Sequence, residues 1–445
     1  MNTPICDFVN QYKKSNPLRL HMPGHKGVNF TGIENADITE ISGADSLYEA
    51  NGIIKESEKN ASRLFGCETL YSAEGSSLCI KAMLYLTVLF AKQNGKRPLI
   101  WAGRNVHKSF LHAAALLDFE TEWLYSEEKS SYLSCFIDAE FLDRRFSECA
   151  ELPVAVYITS PDYLGNITDI KSVSNVCKKH GVLLIVDNAH GAYLRFLPVS
   201  LHPIDLGADI CCDSAHKTLP VLTGGAYLHI SDSAPDIFFV QAKNALSLFG
   251  STSPSYPIMQ SLDFANKYLS EGYSKKLTAF INEIENLKDL LIEHGFELYG
   301  NEPLKLTIKA KPYGYSGYEL ADYLSDKNII CEFADPDFIV FMITPENGSD
   351  SLSVLKNALL SIEKKAEIEI TPPKFNIPEK KVSVREAVFS ESEVVPVSES
   401  IGRILASPCV ACPPAVPIVV CGEEIDKNAA ECFEYYGTKQ CTVIK

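Results

Sequence analysis

No block of lysine and arginine gathers anywhere in these 445 residues. A nucleic-acid backbone would therefore meet no basic footprint, and no nucleic-acid partner is expected. The opening stretch, MNTPICDFVNQYKKSNP, lacks the apolar core that a secretion signal needs. The longest apolar run, AMLYLTVLFA (82–91), is too short by itself to cross a bilayer, so no membrane partner is expected. Internal repeats and low-complexity tracts are missing as well.

The formal net charge is −16 and the mean hydropathy is near zero. Such a chain is globular, and at this length it divides into two or three domains. An acidic balance suits cationic small molecules but serves solubility equally. Fourteen cysteines without a secretion signal read as reduced thiols in the cytoplasm. Five of them (Cys409, Cys412, Cys421, Cys432 and Cys441) crowd the C-terminus. Cys409 and Cys412 form a C-x-x-C, but the later spacing is loose, and the expected reading is small buried hydrophobes with no metal.

Residues 1–60 read as an irregular arm and loops, punctuated by HMPGHKG (21–27). From residue 61 to 272 short apolar runs alternate with amphipathic stretches. Helices are expected at 76–93, 108–118 and 169–181, and strands at 98–103, 153–160, 182–187, 208–213 and 225–230. This alternation argues an α/β domain built on a mostly parallel sheet covered on both faces. Residues 273–294 carry a helical apolar stripe (Leu277, Phe280, Ile281, Ile284, Leu287, Leu290, Leu291) that leads into a small α/β domain ending near 366. A Pro- and charge-rich linker (367–381) precedes a C-terminal α/β appendage at 382–445.

In parallel α/β sheets the chemistry lies outside the carboxyl ends of the strands. Those ends carry Arg104 to His107, Pro161 to Gly165, Asp187 to Gly191, and the stretch DICCDSAHKTLP (209–220) with Ser214, His216 and Lys217. Gly75-Ser76-Ser77 opens a long helix, where free backbone N–H groups and two hydroxyls can hold a phosphate. A phosphate cradle, a strand-end aspartate and a strand-end lysine together fit pyridoxal 5'-phosphate. Its aldehyde needs an amine, supplied by Lys217, and its pyridine nitrogen needs a carboxylate, supplied by Asp187. His107 is placed to stack on the ring. Taken singly, each residue is more often a solvated cation, a helix cap or a structural histidine; their order along one sheet is what carries the reading.

These stretches resemble the fold-type-I pyridoxal-phosphate decarboxylases of ornithine, lysine and arginine, in a short form without their N-terminal receiver-like domain. The likeness runs through HMPGHKG, DITEISGADSLYEANGII (37–54), RNVHKS (104–109), SPDYLGNITDI (160–170), VDNAHGAY (186–193), DSAHKTLPVLTGGAYLH (213–229), STSPSY (251–256) and the tail 402–425. It implies an aspartate-aminotransferase-like large domain with smaller α/β domains after it. It places the covalent cofactor link on Lys217, the pyridinium partner on Asp187, the stacking ring on His107, and His190 beside the cofactor. Ser76, Ser77, Ser214 and His216 are implied as phosphate ligands, with Thr252 added across a homodimer that shares its active sites. Glu423 and His25 are implied on the substrate side.

Two departures stand out. Asn188 replaces the family's glutamate in Asp-Glu-Ala-His-Gly, and the tail reads PPAVP and CGE in place of Pro-Pro-Gly-Ile-Pro and Pro-Gly-Glu. The expected reaction is decarboxylation of a basic L-amino acid, arginine before lysine before ornithine, to agmatine or the corresponding diamine. The rivals are a transamination or β-elimination on the same cofactor, and a catalytically silent cofactor-binding protein. A transaminase commonly clamps the substrate carboxylate with an arginine, for which Arg104 and Arg403 are the candidates.

Overall fold

The computed structural model describes residues 1–125, 131–408 and 414–445. Cys409 and Cys412 lie outside the described residues. The chain forms two compact units, Met1–Arg97 with Ile170–Leu277, and Pro98–Asp169 with Thr278–Lys445. Seven strands belong to their α/β parts: β1 (Glu68–Ser72), β2 (Leu99–Gly103), β3 (Glu120–Leu124), β4 (Ala155–Thr159), β5 (Leu183–Asp187), β6 (Ile210–Asp213) and β7 (Ala226–Ile230).

In the first unit the strand order is β1-β7-β6-β5. β5 and β6 run parallel, with Asp187 opposite Cys212, while β7 is antiparallel to both β6 and β1. The reversal at β7 follows from its connection. Only residues 214–225 separate it from β6, too little for a crossover helix on the sheet's face. These strands are buried along nearly their whole length.

The helix Gly75–Gln93 is apolar on all sides and packs against β1, β6, β7 and the helix Asp236–Ser247. At 19 residues the whole helix, unlike the ten-residue run read from the sequence, is long and apolar enough to cross a membrane. More than half of it is buried within this fold, the pattern of a core helix.

The N-terminal arm is less irregular than its sequence suggests. Pro4–Ser15 and Ile53–Phe65 are helices. The first has Pro at its opening turn, Asp7 in that turn and Lys13 and Lys14 in the last, all complementary to a helix dipole. Asp263 holds it in place by accepting from the N–H groups of Ile5 and Cys6 at 3.0 Å.

In the second unit β4, β2 and β3 are parallel in that order. Its small antiparallel sheet runs β10 (Phe333–Ala334), β11 (Phe338–Met342), β9 (Lys305–Lys309), β8 (Glu297–Tyr299). A two-stranded ladder of β12 (Ser392–Pro396) and β13 (Gln440–Ile444) packs with the helix Lys427–Tyr435 around Leu405, Val419, Ile425 and Phe433.

Candidate active site

Within the first unit, strand ends bring the cofactor-type residues together. β6 ends at Asp213, and the chain turns through Ser214 into the short helix Ala215–Thr218, which carries Lys217. Lys217 Nζ lies 2.8 Å from Nε2 of His190, a residue just beyond the end of β5. Asp187, the last residue of β5, is 2% exposed, and its Oδ1 accepts from Ala189 N at 3.1 Å and from the Cys212 thiol. Burial pushes that thiol's pKa well up, so Cys212 keeps the proton it donates.

Ser214 Oγ donates to Ser76 Oγ at 2.6 Å, joining the Lys217 turn to the first turn of the helix Gly75–Gln93. Gly75 has φ +72°, and a side chain there would meet nothing within 4 Å, so open space faces the helix start. Hydroxyls, free N–H groups and room suit a phosphate; Ser77, next in the helix, is half-buried. His216 Nδ1 bonds the Gly225 carbonyl at 3.0 Å and therefore carries the proton. Burial, with Lys217 adding to it, lowers the His216 pKa. The neutral ring then offers a phosphate no second N–H, and it becomes a phosphate donor only when an arriving dianion draws a proton onto Nε2.

Beneath this layer is a set that the sequence reading missed. Asp213 is fully buried and accepts from Asn188 Nδ2 at 2.6 Å, His202 Nε2 at 3.2 Å and His229 Nε2 at 3.1 Å. Burial pushes its carboxyl upward, but the two histidines and their hydrogen bonds prevail and hold it below the usual range. The departure at Asn188 now has a reason. A glutamate there would set a second carboxylate against Asp213, whereas an amide donates to it. The tight fit also needs Gly191, where a Cβ would fall 2.1 Å from Asn188 Oδ1. Ligand atoms of His202, Cys211 and Asp213 cluster within 4.8 Å. The histidine and aspartate are already each other's hydrogen-bond partners, and burial holds Cys211 as a thiol. The signal available was Asp213 itself, a charge ending an otherwise apolar strand.

The other residues of this unit stand further apart in their contacts. Thr252 is exposed, on a loop whose Ser251 N donates to Glu74 Oε1 at 2.5 Å, next to Gly75. His25 is held within its own loop, with Nδ1 accepting from Gly27 N and Nε2 bonded to Asp37 Oδ2 at 3.2 Å.

In the second unit His107 caps the helix Lys108–Leu117. Its Nδ1 accepts from Ser109 N, which fixes the proton on Nε2. Glu423, 2% exposed, accepts from Arg104 Nη2 at 2.9 Å and from Val420 N at 2.8 Å. Burial pushes its pKa up, with Arg104 opposing. Arg104 also donates to the carbonyls of Pro417 and Ile418. Arg403 is engaged by Glu393 and the Ile444 carbonyl, so both candidate carboxylate clamps already hold protein groups.

Known proteins fit this arrangement. The sequence pattern of the Orn/Lys/Arg decarboxylase major domain matches residues 3–298, and that of its C-terminal domain matches 369–442. The arginine decarboxylase of Halalkalibacterium halodurans is 30% identical over 96% of this chain and 91% of its own length. An uncharacterised Bacillus subtilis protein, YaaO, is 30% identical over 97% and 93%. Among solved structures, the Francisella novicida lysine decarboxylase LdcF superposes with a TM-score of 0.80 at 17% identity, over 100% of this chain and 81% of its own. A more distant SPT carrying PLP gives 0.53 at 14%, over 69% and 76%. The cofactor of this fold is pyridoxal 5'-phosphate, and the serine cradle, strand-end carboxylate and lysine amine of the first unit are the donor set it needs.

Proposed function

The chain belongs to the Orn/Lys/Arg decarboxylase family, and on that premise we propose that it decarboxylates arginine, in preference to lysine and ornithine, to give agmatine. The observation that carries the reading is Lys217 Nζ at 2.8 Å from His190, with Lys217 just past the strand next to the one that Asp187 ends. Bound pyridoxal phosphate supplies an aldehyde for the substrate amine and a ring that draws electrons from Cα.

The chain's own residues do the rest. Lys217 would hold the cofactor until the substrate amine takes its place, with His190 Nε2 in reach of the proton that must move. Asp187 keeps the ring nitrogen protonated. His107, fixed by its cap, would stack against the ring. Ser76, Ser77, Ser214 and His216 hold the phosphate, and Thr252 of the partner subunit completes that cradle in a cytoplasmic homodimer. The substrate carboxylate would leave as carbon dioxide and a proton would take its place at Cα, giving the amine. Glu423 is assigned the substrate's distal cation, which enters beside a carboxylate already shared with Arg104; His25 lines the approach. Arg104 and Arg403, the two candidates for a transaminase clamp, are both engaged by protein groups, which favours decarboxylation.

The test is a panel of amino acids incubated with the holoenzyme while carbon dioxide and amine are measured. Arginine should give agmatine fastest, borohydride should fix the cofactor on Lys217, and Lys217→Ala should abolish turnover. An adduct mapped to another lysine, or keto-acid in place of carbon dioxide, would overturn the assignment.

A further inference from the structure

The second unit encloses a cavity of about 300 Å³ that none of the cofactor-type residues lines. Its wall combines Arg104 and Lys374 with Tyr132, Phe375 and Tyr436, and the strap Thr371–Phe375 closes one side. Among its described lining residues there is no aspartate or glutamate, although the chain's net charge is −16. Among the described lining residues, a cationic amino-acid side chain would meet Lys374 and an Arg104 already paired with Glu423, and no free carboxylate.

Arg104 is the informative residue. Its guanidinium sits over the ring of Trp123 at 5.3 Å and that of Phe375 at 5.9 Å, and it is 8% exposed. One Nη2 is committed to Glu423 and Ile418, while Nε is buried without a hydrogen-bond partner. A buried donor left unmade is unfavourable, and an acceptor oxygen reaching it removes that cost. Glu423 cancels the charge of Arg104, so among the described lining residues Lys374 sets the sign, positive by one. The Tyr132 and Tyr436 rings, 4.7 Å apart edge to face, and Phe375 offer faces to a flat apolar body.

We propose that this cavity binds a small aromatic monoanion, with its carboxylate toward Arg104 and Lys374 and its ring among Tyr132, Phe375 and Tyr436. The site adjoins Glu423 through Arg104, but it is argued from its own lining and does not rest on the substrate assigned above.

The experiment titrates the holoenzyme calorimetrically with 2-naphthoate and with 2-naphthylmethylammonium, which share a ring and differ in charge. The carboxylate should bind once per chain and at least tenfold more tightly than the ammonium. Lys374→Glu, at an exposed position, should weaken naphthoate fivefold or more, and Phe375→Ala should weaken both probes. Saturating arginine, applied to Lys217→Ala so that nothing is consumed, should leave naphthoate affinity unchanged. Equal affinity for the two probes, indifference to both substitutions, or competition by arginine would each overturn the proposal, the last by making the cavity part of the substrate site.

Discussion

Asp213 and Asn188 are the residues whose pairing sets this chain apart. Asp213→Asn takes the charge from beneath two buried histidines; disrupting a buried charge network costs about 3–5 kcal/mol, read as a lower thermal midpoint. Turnover should fall with it, since Asp213 anchors the turn that carries Lys217. Asn188→Glu, which restores the family's residue, should also destabilise, because the new carboxylate faces Asp213. The double variant should be less damaged than the two single losses predict, and simple additivity would show that the sites do not interact. Glu423 separates two roles in one measurement. Glu423→Gln should lower both the thermal midpoint, by unpairing Arg104, and kcat/KM by tens-fold or more. A lowered midpoint with intact kcat/KM would leave Glu423 with Arg104 alone. Glu424, half-exposed and paired with Lys381, should be insensitive to the same change.

At the level of elements, the turn between β10 and β11 holds an instructive carboxyl. Asp335 Oδ1 accepts from the N–H groups of Asp337 and Phe338 at 2.7 Å, while Oδ2 is buried without a partner. Burial pushes its pKa up to about 7, with nearby Asp337 adding to the rise and Lys311 opposing it. A carboxyl raised in the folded state contributes stability at low pH and loses it as pH climbs through that value. Asp335→Asn keeps the two accepted bonds and should raise the midpoint most above pH 7, less at pH 5, and hardly at all near pH 4, where the unfolded carboxyl is itself protonated. The loop of Thr252 is tested by exchange. Mixed with inactive Lys217→Ala, a weakened Thr252→Ala should regain activity if sites are shared between subunits, and strictly additive activity after proven exchange would refute sharing.

Elements with a strong local pattern were legible in advance. β2, β4, β5, β6 and β7 and the helices beginning at Gly75, Lys108 and Ile170 fall where apolar runs and glycines put them, whereas buried β1 was not anticipated. β3, with Glu120 and Glu122 among five residues of which only Leu124 is buried, had no such run, and neither did the short N-terminal helix. Residue types at strand ends disclosed Lys217, Asp187 and the serine cradle. The histidines under Asp213 were hidden because His202 and His229 are remote in sequence and meet only in the fold.

For the molecule as a whole, His216 and His229 both have pKa values lowered, chiefly by burial. Their unfolded counterparts take protons below about pH 6.5, so stability is complete above that pH and declines as acid is added, opposite in sign to Asp335. Circular dichroism melts across pH 5–8 should show the decline in the apoenzyme and less of it with cofactor, whose phosphate favours the charged His216. The interrupted chain of the first unit has a further consequence, during translation. β1 is made by residue 72 and finds β7 only at residues 226–230. At about 5–20 residues per second, that strand and the apolar helix behind it wait on the order of 10–30 s on the ribosome before their sheet can close. During that wait an uncovered 19-residue apolar helix is a natural client for a chaperone. Ribosome-bound chains stalled near residue 220 should therefore be far more sensitive to protease than chains stalled beyond 300.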